Sequence, residues 1–474
     1  MKNTCLKLLA YLCVILIVLT FSLMQQNHAS TVTPLYFRID KPFHHPAILI
    51  DHEPVFHNGN IVSAVSLNTR RPIIVTVDNK SLSLQLTKLS KTTMIPIDIQ
   101  FTDKKVRYLL QTLPMNFPAF RVRNKAGIEG YALLSVHGLK LTNPSYSLIT
   151  DMNGNIVFYR GNPQIHRSVF HLQKIVLPNG KIRYTTHIQD DPSISSAWMR
   201  GHHIIMDENF HIIDQVSLLK TETHDALLAD EHAILMLDDG HYIVVGYNVK
   251  YVKWADDLFV EVVHNVVQEQ KDGKVLLDWN SEDFPSLQNA CIERCPSKVL
   301  KDADYLHINS LFIDPHDQNL IVSSASGYYI MKIHRKTGEI LWTLGGKLNE
   351  FKNWNPFLFI RQHDAQILDT GELMMFDNHM RYPHMRKAQI LRLKIDETKK
   401  EITGIYALPL NFTAPYMGSV QLLPNGNYFI GCGSANLCTA RMIDQKGNML
   451  WNIKAQAPYK MFKSYYYRTL DSKH

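Results

Sequence analysis

The sequence predicts an all-β protein, a six-bladed β-propeller preceded by a small N-terminal β-sandwich. Three observations carry this expectation. A strand, turn and strand pattern recurs from about residue 130 onward, several repeats end in tryptophan, and residues 31–125 alternate apolar and polar over short runs with no helical period of useful length.

The propeller is read from five segments that align on their turns. They are HLQKIVLPNGKIRYTTH from His171, HAILMLDDGHYIVVGY from His232, HINSLFIDPHDQNLIVSS from His307, HDAQILDTGELMMFDN from His363 and GSVQLLPNGNYFIGCG from Gly418. Eight residues separate the leading residue from the turn glycine in three of them, nine in the first, and the turn after His307 is looser. Further strands follow in DGKVLLDW, KTGEILWTLGG and QKGNMLWNI, and a first unit at about 130–160 brings the expected count to six. Tandem units of this kind, about 40–50 residues each, mark blades packed face to face around an axis.

The sandwich is read from runs such as AVSLNTRRPIIVTVDN and LSLQLTKL, with LPMNFPAFRVRNKAG as connector. The expected division is 1–30 leader, 31–125 sandwich and 126–474 propeller. The leader has Lys2 and Lys7 ahead of an apolar run from Leu8 to Met24, which reads as a signal peptide or an N-terminal anchor. The expected location is therefore periplasmic, with membrane tethering through residues 8–24 and homo-oligomerisation both open.

Cys5 and Cys13 fall in the leader, leaving Cys291 and Cys295 in CIERC and Cys432 and Cys438 in CGSANLC. Two closely spaced pairs on an exported chain suggest two short-loop disulfides. A zinc site from the same thiolates is the rival, although these spacings suit zinc poorly. Asn79 and Asn411 are sequons. The formal charge of +7 is spread along the chain rather than gathered into a block, which points weakly to anionic small molecules and not to nucleic acid.

In a propeller the first strand of each blade lines the central channel, so His171, His232, His307 and His363 are expected to gather at one end of the axis. Among the aligned segments only Gly418 departs. His44, His45, His202 and His203 fall outside the register and are read as partly exposed polar residues. A ring of imidazoles can bind a transition metal, supply an acid and a base near neutral pH, or attack an electrophile and carry the transferred group.

LHINSLFIDPHDQNLIVSSA, KTGEILWTLGGKLNEF, RQHDAQILDTGELMMFDN and SVQLLPNGNYFIGCG, in this order, resemble the bacterial arylsulfate sulfotransferases, most specifically from Asp304 to Asn378. The resemblance implies an exported enzyme that moves a sulfuryl group from a phenolic sulfate ester to a phenol acceptor, with no nucleotide sulfate donor and no cofactor. It further implies a sulfohistidine intermediate on His363, with His307 and His232 as acid/base and sulfate-oxygen donors. His171, Asn309 and Arg361 are the substrate-binding candidates. One departure stands out: the family writes SSR after the HIN strand, and this chain has Ala325 in place of that arginine. Arg361, two residues before His363, is the candidate replacement. A metal-dependent hydrolase built on the histidine ring and a non-catalytic binding propeller are the rival readings.

Overall fold

The computed structural model describes residues 117–138, 144–161, 168–191, 199–255, 258–295, 302–381, 384–455 and 459–471, and the backbone of seven strands before residue 113. The leader, His44, His45 and the sequon at Asn79 lie outside the described residues. Among the described residues no helix is long and apolar enough to cross a membrane.

The chain divides into two units, 1–119 and 120–474. In the first, Leu35–Ile39, Lys105–Thr112 and Met94–Gln100 form a three-stranded antiparallel sheet, and Glu53–Pro54, Ile48–Ile50, Ile73–Val77 and Lys80–Leu84 form a four-stranded one. The division falls at 119/120 rather than 125/126. The expected connector contributes Phe120–Asn124, which is not a linker but an edge strand paired with Met449–Ala455.

The second unit is an all-β propeller arrangement. Four separate sheets have four or five strands each, and a longer sheet has nine. The nine-stranded sheet runs from Val169–Val176 to Lys274–Asn280, and its halves meet only where Arg200 faces Asp230 and Gly201 faces Ala229. Burial shows why these sheets stack. Leu320–Ser324 and Tyr329–Ile333 are buried at every position, so neither face meets water. The outer strand Glu401–Pro409 is largely exposed. A strand buried on both faces needs a neighbouring sheet on each side, and the apolar clusters lie between adjacent sheets. One joins Ile321, Ile330 and Trp342 to Leu373, Met375 and Leu391, and the next joins Met374, Phe376 and Ile390 to Val420, Tyr428 and Ile430. The terminal tryptophans Trp279, Trp342 and Trp451 are all buried, and Trp342 belongs to the first of these clusters.

The turn glycines Gly180, Gly240, Gly371 and Gly426 all hold φ between 76° and 80°, the left-handed conformation that closes a hairpin at least cost without a side chain. In the looser turn, Gln318 takes that conformation at φ 64°. Gly418 has its own reason. A Cβ there would lie 2.5 Å from the Phe376 ring, so the histidine of the other segments has no room.

The first sheet departs from the expected order. Its strand beside Tyr131–Gly138 is the C-terminal strand Tyr459–Tyr467, which also neighbours Ser419–Leu422 and Val169–Val176. The chain's end thus supplies an inner strand to the chain's beginning, and with it come Phe462, Lys463 and Tyr465.

Lys463 is wholly buried. Its Nζ donates to the His232 carbonyl at 3.0 Å and lies 3.8 Å from Asp364 Oδ1. Burial lowers the Lys463 pKa and raises that of Asp364, each partly offset by the other. Removing one member of such a pair strands the other in a dry interior. Lys463→Met is expected to cost on the order of 3 kcal/mol, read as a lower urea midpoint. An unchanged midpoint would show that the pair does not hold the ring closed.

Candidate active site

Three inner strands carry a left-handed kink at or near their first residue. His171 and His307 have φ of 57° and 50°, Asp364 has 56°, and the strand registers shift beside them. The amides freed by these kinks are taken up by the neighbouring sheet. Leu172 N–H donates to Ser135 Oγ, Ile308 N–H to Asn265 Oδ1, Ala365 N–H to Ser310 Oγ and Val420 N–H to Asp364 Oδ2, all within 3.1 Å. The kinks are therefore satisfied, and the side chains they aim are fixed.

His232, His307 and His363 meet on the wall of one cavity of about 360 Å³, together with Arg361, Ala325, Arg294, Glu231, Glu293, Tyr416 and Met417. Arg294, His307, Arg361 and Met417 all hold positive φ, a conformation that is uncommon for non-glycine residues and gathers at functional sites.

His363 has its tautomer fixed. Asn378 Nδ2 donates to the carbonyls of Ala414 at 2.7 Å and Met417 at 2.9 Å, so its Oδ1 faces His363 Nδ1 as an acceptor at 2.7 Å. The Arg361 carbonyl is a second acceptor for Nδ1 at 3.0 Å. The proton therefore sits on Nδ1 and the lone pair on Nε2, where it accepts the Met417 N–H at 3.2 Å. Burial lowers the His363 pKa to about 3, so the ring is neutral at any physiological pH.

His307 Nδ1 donates to Asp304 Oδ2 at 2.6 Å, and His232 Nδ1 to Asp230 Oδ2 at 2.8 Å. The two rings meet edge to face with centroids 4.9 Å apart, and Phe462 packs 5.4 Å from His232. Burial lowers the His232 pKa against the pull of Asp230. Burial and the adjacent Asp230 carboxylate push Glu231 well above the ordinary carboxylate range. Asp230 stays ionised because the His232 ring and amide outweigh its burial. Asp230, Glu231 and His232 place ligand-type atoms within 4.8 Å of one another, but His232 already occupies Asp230 and the Met199 amide occupies Glu231.

The remaining candidates separate. Arg361 is on the wall, held by Glu293 Oε2 at 2.6 Å. His171 is not. It is 1% exposed, behind Phe462 and Tyr465, and it bonds Gln173. Asn309 is also off the wall, its Nδ2 donating to the Gln362 carbonyl at 2.6 Å. His203 is fully buried rather than partly exposed, with Nε2 on the Asp230 carbonyl at 2.9 Å.

Cys291 pairs with Cys295 and Cys432 with Cys438, at Cα separations of 5.6 and 5.8 Å. One loop lines the cavity and the other braces its wall. The first carries Glu293 and Arg294 on the wall. The second includes Ser434, which exchanges hydrogen bonds with the Tyr416 backbone at 3.0 and 3.1 Å and so braces the segment that reaches His363.

Several site residues escaped the sequence. Arg294 lies inside CIERC, where the cysteine spacing alone reads as a short loop. Asp230 and Asp304 carried a signal, an aspartate two or three residues ahead of a histidine, which is how imidazoles are oriented. Lys463 lay in a strand-like run left over after the last tryptophan, the mark of a ring closed by the chain's end. Asn378 carried no signal of its own.

Among solved structures the chain is similar to a protein of unknown function from Bacteroides caccae, at 10% identity and a TM-score of 0.43 over 72% of this chain and 100% of that one. It is similar also to catalytically inactive virginiamycin B lyase from Staphylococcus aureus with quinupristin, at 10% identity and 0.37 over 72% and 90%. A third is apo AztD from Citrobacter koseri, at 9% and 0.30 over 92% and 99%. At these scores they add nothing to the assignment. No curated protein matches the chain. The arylsulfotransferase (ASST) family model matches residues 120–468. That span takes in the three histidines, both disulfide loops and the closing strand, and the chain belongs to the arylsulfotransferase (ASST) family.

Proposed function

We propose that the protein transfers a sulfuryl group from a phenolic sulfate ester to a phenol acceptor through a sulfated His363. The observation that carries this reading is the fixed tautomer: a neutral imidazole with its lone pair on Nε2, on the wall of a cavity with two further oriented histidines. In the first half-reaction Nε2 attacks sulfur, the S–O bond to the ring breaks, and the departing phenolate takes a proton. In the second the acceptor oxygen attacks sulfur and the S–N bond breaks, restoring neutral His363. His307 and His232, with Nδ1 held by Asp304 and Asp230, present Nε2 for these proton transfers: one of them, entering as the imidazolium, gives its Nε2 proton to the departing phenolate and recovers it from the acceptor hydroxyl in the second half-reaction.

Attack frees the Met417 N–H, which lies beside the transferring group and becomes a donor for it. The wall charges favour an anion. Glu293 pairs with Arg361, burial raises Glu231, and Arg294 stands on the same wall, close enough to lower the Asp304 pKa. Arg294 is thus a second cation on the wall where Ala325 stands in place of the family arginine. Arg294→Ala is expected to lower kcat/KM for 4-nitrophenyl sulfate on the order of 10²-fold, with Arg294→Lys recovering part of the loss. An unchanged kcat/KM would leave Arg361 as the sole replacement.

The same reading includes six blades, with the nine-stranded sheet counted as two. Its two-pair junction supports this, as does the cyclic contact among the inner strands beginning at Val169, Ala229, Ile308, His363, Ser419 and Tyr459. The two antiparallel sheets of the first unit support a sandwich. The two disulfides and the leader support a periplasmic protein. Incubating the protein with 4-nitrophenyl sulfate alone, quenching and mapping peptides tests the intermediate. One sulfuryl group is expected on the peptide bearing His363, discharged by phenol, and a modified residue elsewhere or none contradicts the route.

A further inference from the structure

Beside the histidine cavity lies a second one of about 510 Å³, lined by Ile292, Tyr328, Trp354, Pro356, Phe359 and Ile360. Glu293 belongs to both walls. It accepts Arg361 from the first side and the Tyr328 hydroxyl from the second, so a three-residue chain of polar contacts forms the partition. The backbone runs through the same partition, with Phe359 and Ile360 on one side and Arg361 and His363 on the other.

The two sides differ in charge and surface. The histidine cavity carries two arginines and polar donors. The second cavity carries one ammonium, Lys347, bound to the Cys291 carbonyl at 2.7 Å, and one carboxylate, Glu293. The rest is aromatic or aliphatic. Aromatic faces and edges favour a flat ring, and a volume in the usual range for small-molecule sites admits one. A balanced charge and an apolar lining disfavour a sulfate ester, whose oxygens would lose water without matching donors.

We propose that this cavity is an aryl-binding site for the uncharged phenol, adjacent to and separate from the cavity that holds the sulfuryl group. The choice of a phenol as occupant rests on the function proposed above, while the site itself rests on the cavity and its lining. The hydroxyl of the bound phenol is directed to Glu293, the one carboxylate in the wall, and the ring lies among Tyr328, Trp354 and Phe359.

The test is equilibrium binding of 1-naphthol and 1-naphthyl sulfate, which needs no turnover, to the disulfide-intact wild type, His363→Asn, Ile292→Trp and Pro356→Trp. Ile292 is 39% exposed and Pro356 is exposed, so a bulky side chain at either position fills the cavity from its rim without entering the core. Two fillers on different segments guard against one that misfolds. The expected result is 1-naphthol binding that His363→Asn changes less than about threefold and that at least one folded filling variant weakens about tenfold or more. The sulfate ester should not compete for this site. Binding lost in His363→Asn, binding untouched by both fillers, or no binding at millimolar 1-naphthol each overturns the proposal. The first of these would leave sulfotransfer intact and assign the ring to the histidine cavity. Absence of turnover with binding retained would instead overturn the transfer chemistry and leave the site.

Discussion

Replacing His363 by asparagine is expected to reduce phenol-dependent release of 4-nitrophenolate from 4-nitrophenyl sulfate on the order of 10⁴-fold, with little change in the thermal midpoint. The size follows from the role. A residue that forms the covalent intermediate has no substitute in the cavity, and losses of this order accompany removal of a catalytic nucleophile. On the proposed route His307 and His232 are engaged in the proton transfers and do not replace it. Asn378→Ala separates nucleophile from scaffold. It removes the 2.7 Å acceptor that fixes the tautomer but leaves the Arg361 carbonyl at 3.0 Å. A smaller loss, about 10- to 10²-fold and carried by kcat rather than KM, is expected from it. If His363→Asn keeps a tenth of wild-type activity, transfer does not pass through that imidazole. If a stable His363→Asn protein binds the donor yet never transfers, the binding role and the chemical role are separated.

Acidification is expected to destabilise the propeller steeply between pH 6.5 and 4. Burial lowers His363 to about 3 and His137 and His187 to about 4, and holds His171 and His203 well below 6.5. These groups bind protons in the unfolded chain near pH 6.5 but not in the fold, so their contribution is fully present above 6.5 and is lost as pH falls. Three buried acids act in the opposite sense. Burial raises Asp377 to about 7, so it binds a proton in the fold while ionised in the unfolded chain, and burial shifts Glu231 and Asp364 in the same direction. The lowered histidines outnumber these acids, so near pH 5 the unfolded chain binds more protons than the fold and stability falls as the pH is lowered. Urea unfolding at pH 7, 6 and 5 measures it. His187→Gln, away from the cavity wall, is expected to remove about one proton from the slope. Stability that stays level from pH 7 to 5 would show that these rings are reached by water.

The register of four histidines was legible because a propeller repeats, and a repeat places equivalent residues at equivalent points of the ring. It told which residues begin inner strands, not which of them meet. His171 and His363 hold the same place in their segments. Phe462, from a strand some 290 residues further on, lies between His171 and the cavity, and no spacing within a repeat contains that information. Asn309 reads as a ligand residue in HIN but turns its amide to the Gln362 carbonyl, because a kinked neighbouring strand leaves that carbonyl to be satisfied.

The sequence by itself determined the all-β class, the turn positions and the two cysteine pairs, since each is local: a glycine where φ is positive, or a short loop. Tertiary structure decided the rest. It chose the tautomer of His363 through Asn378, brought Arg294 to the wall on a disulfide-closed loop, and set Lys463 beside Asp364. It also closed the ring with the last strand rather than the first. The physical reason is that a burial cost, a hydrogen-bond direction or a charge on a cavity wall depends on what the neighbouring sheet presents, and that neighbour is fixed only when the ring shuts.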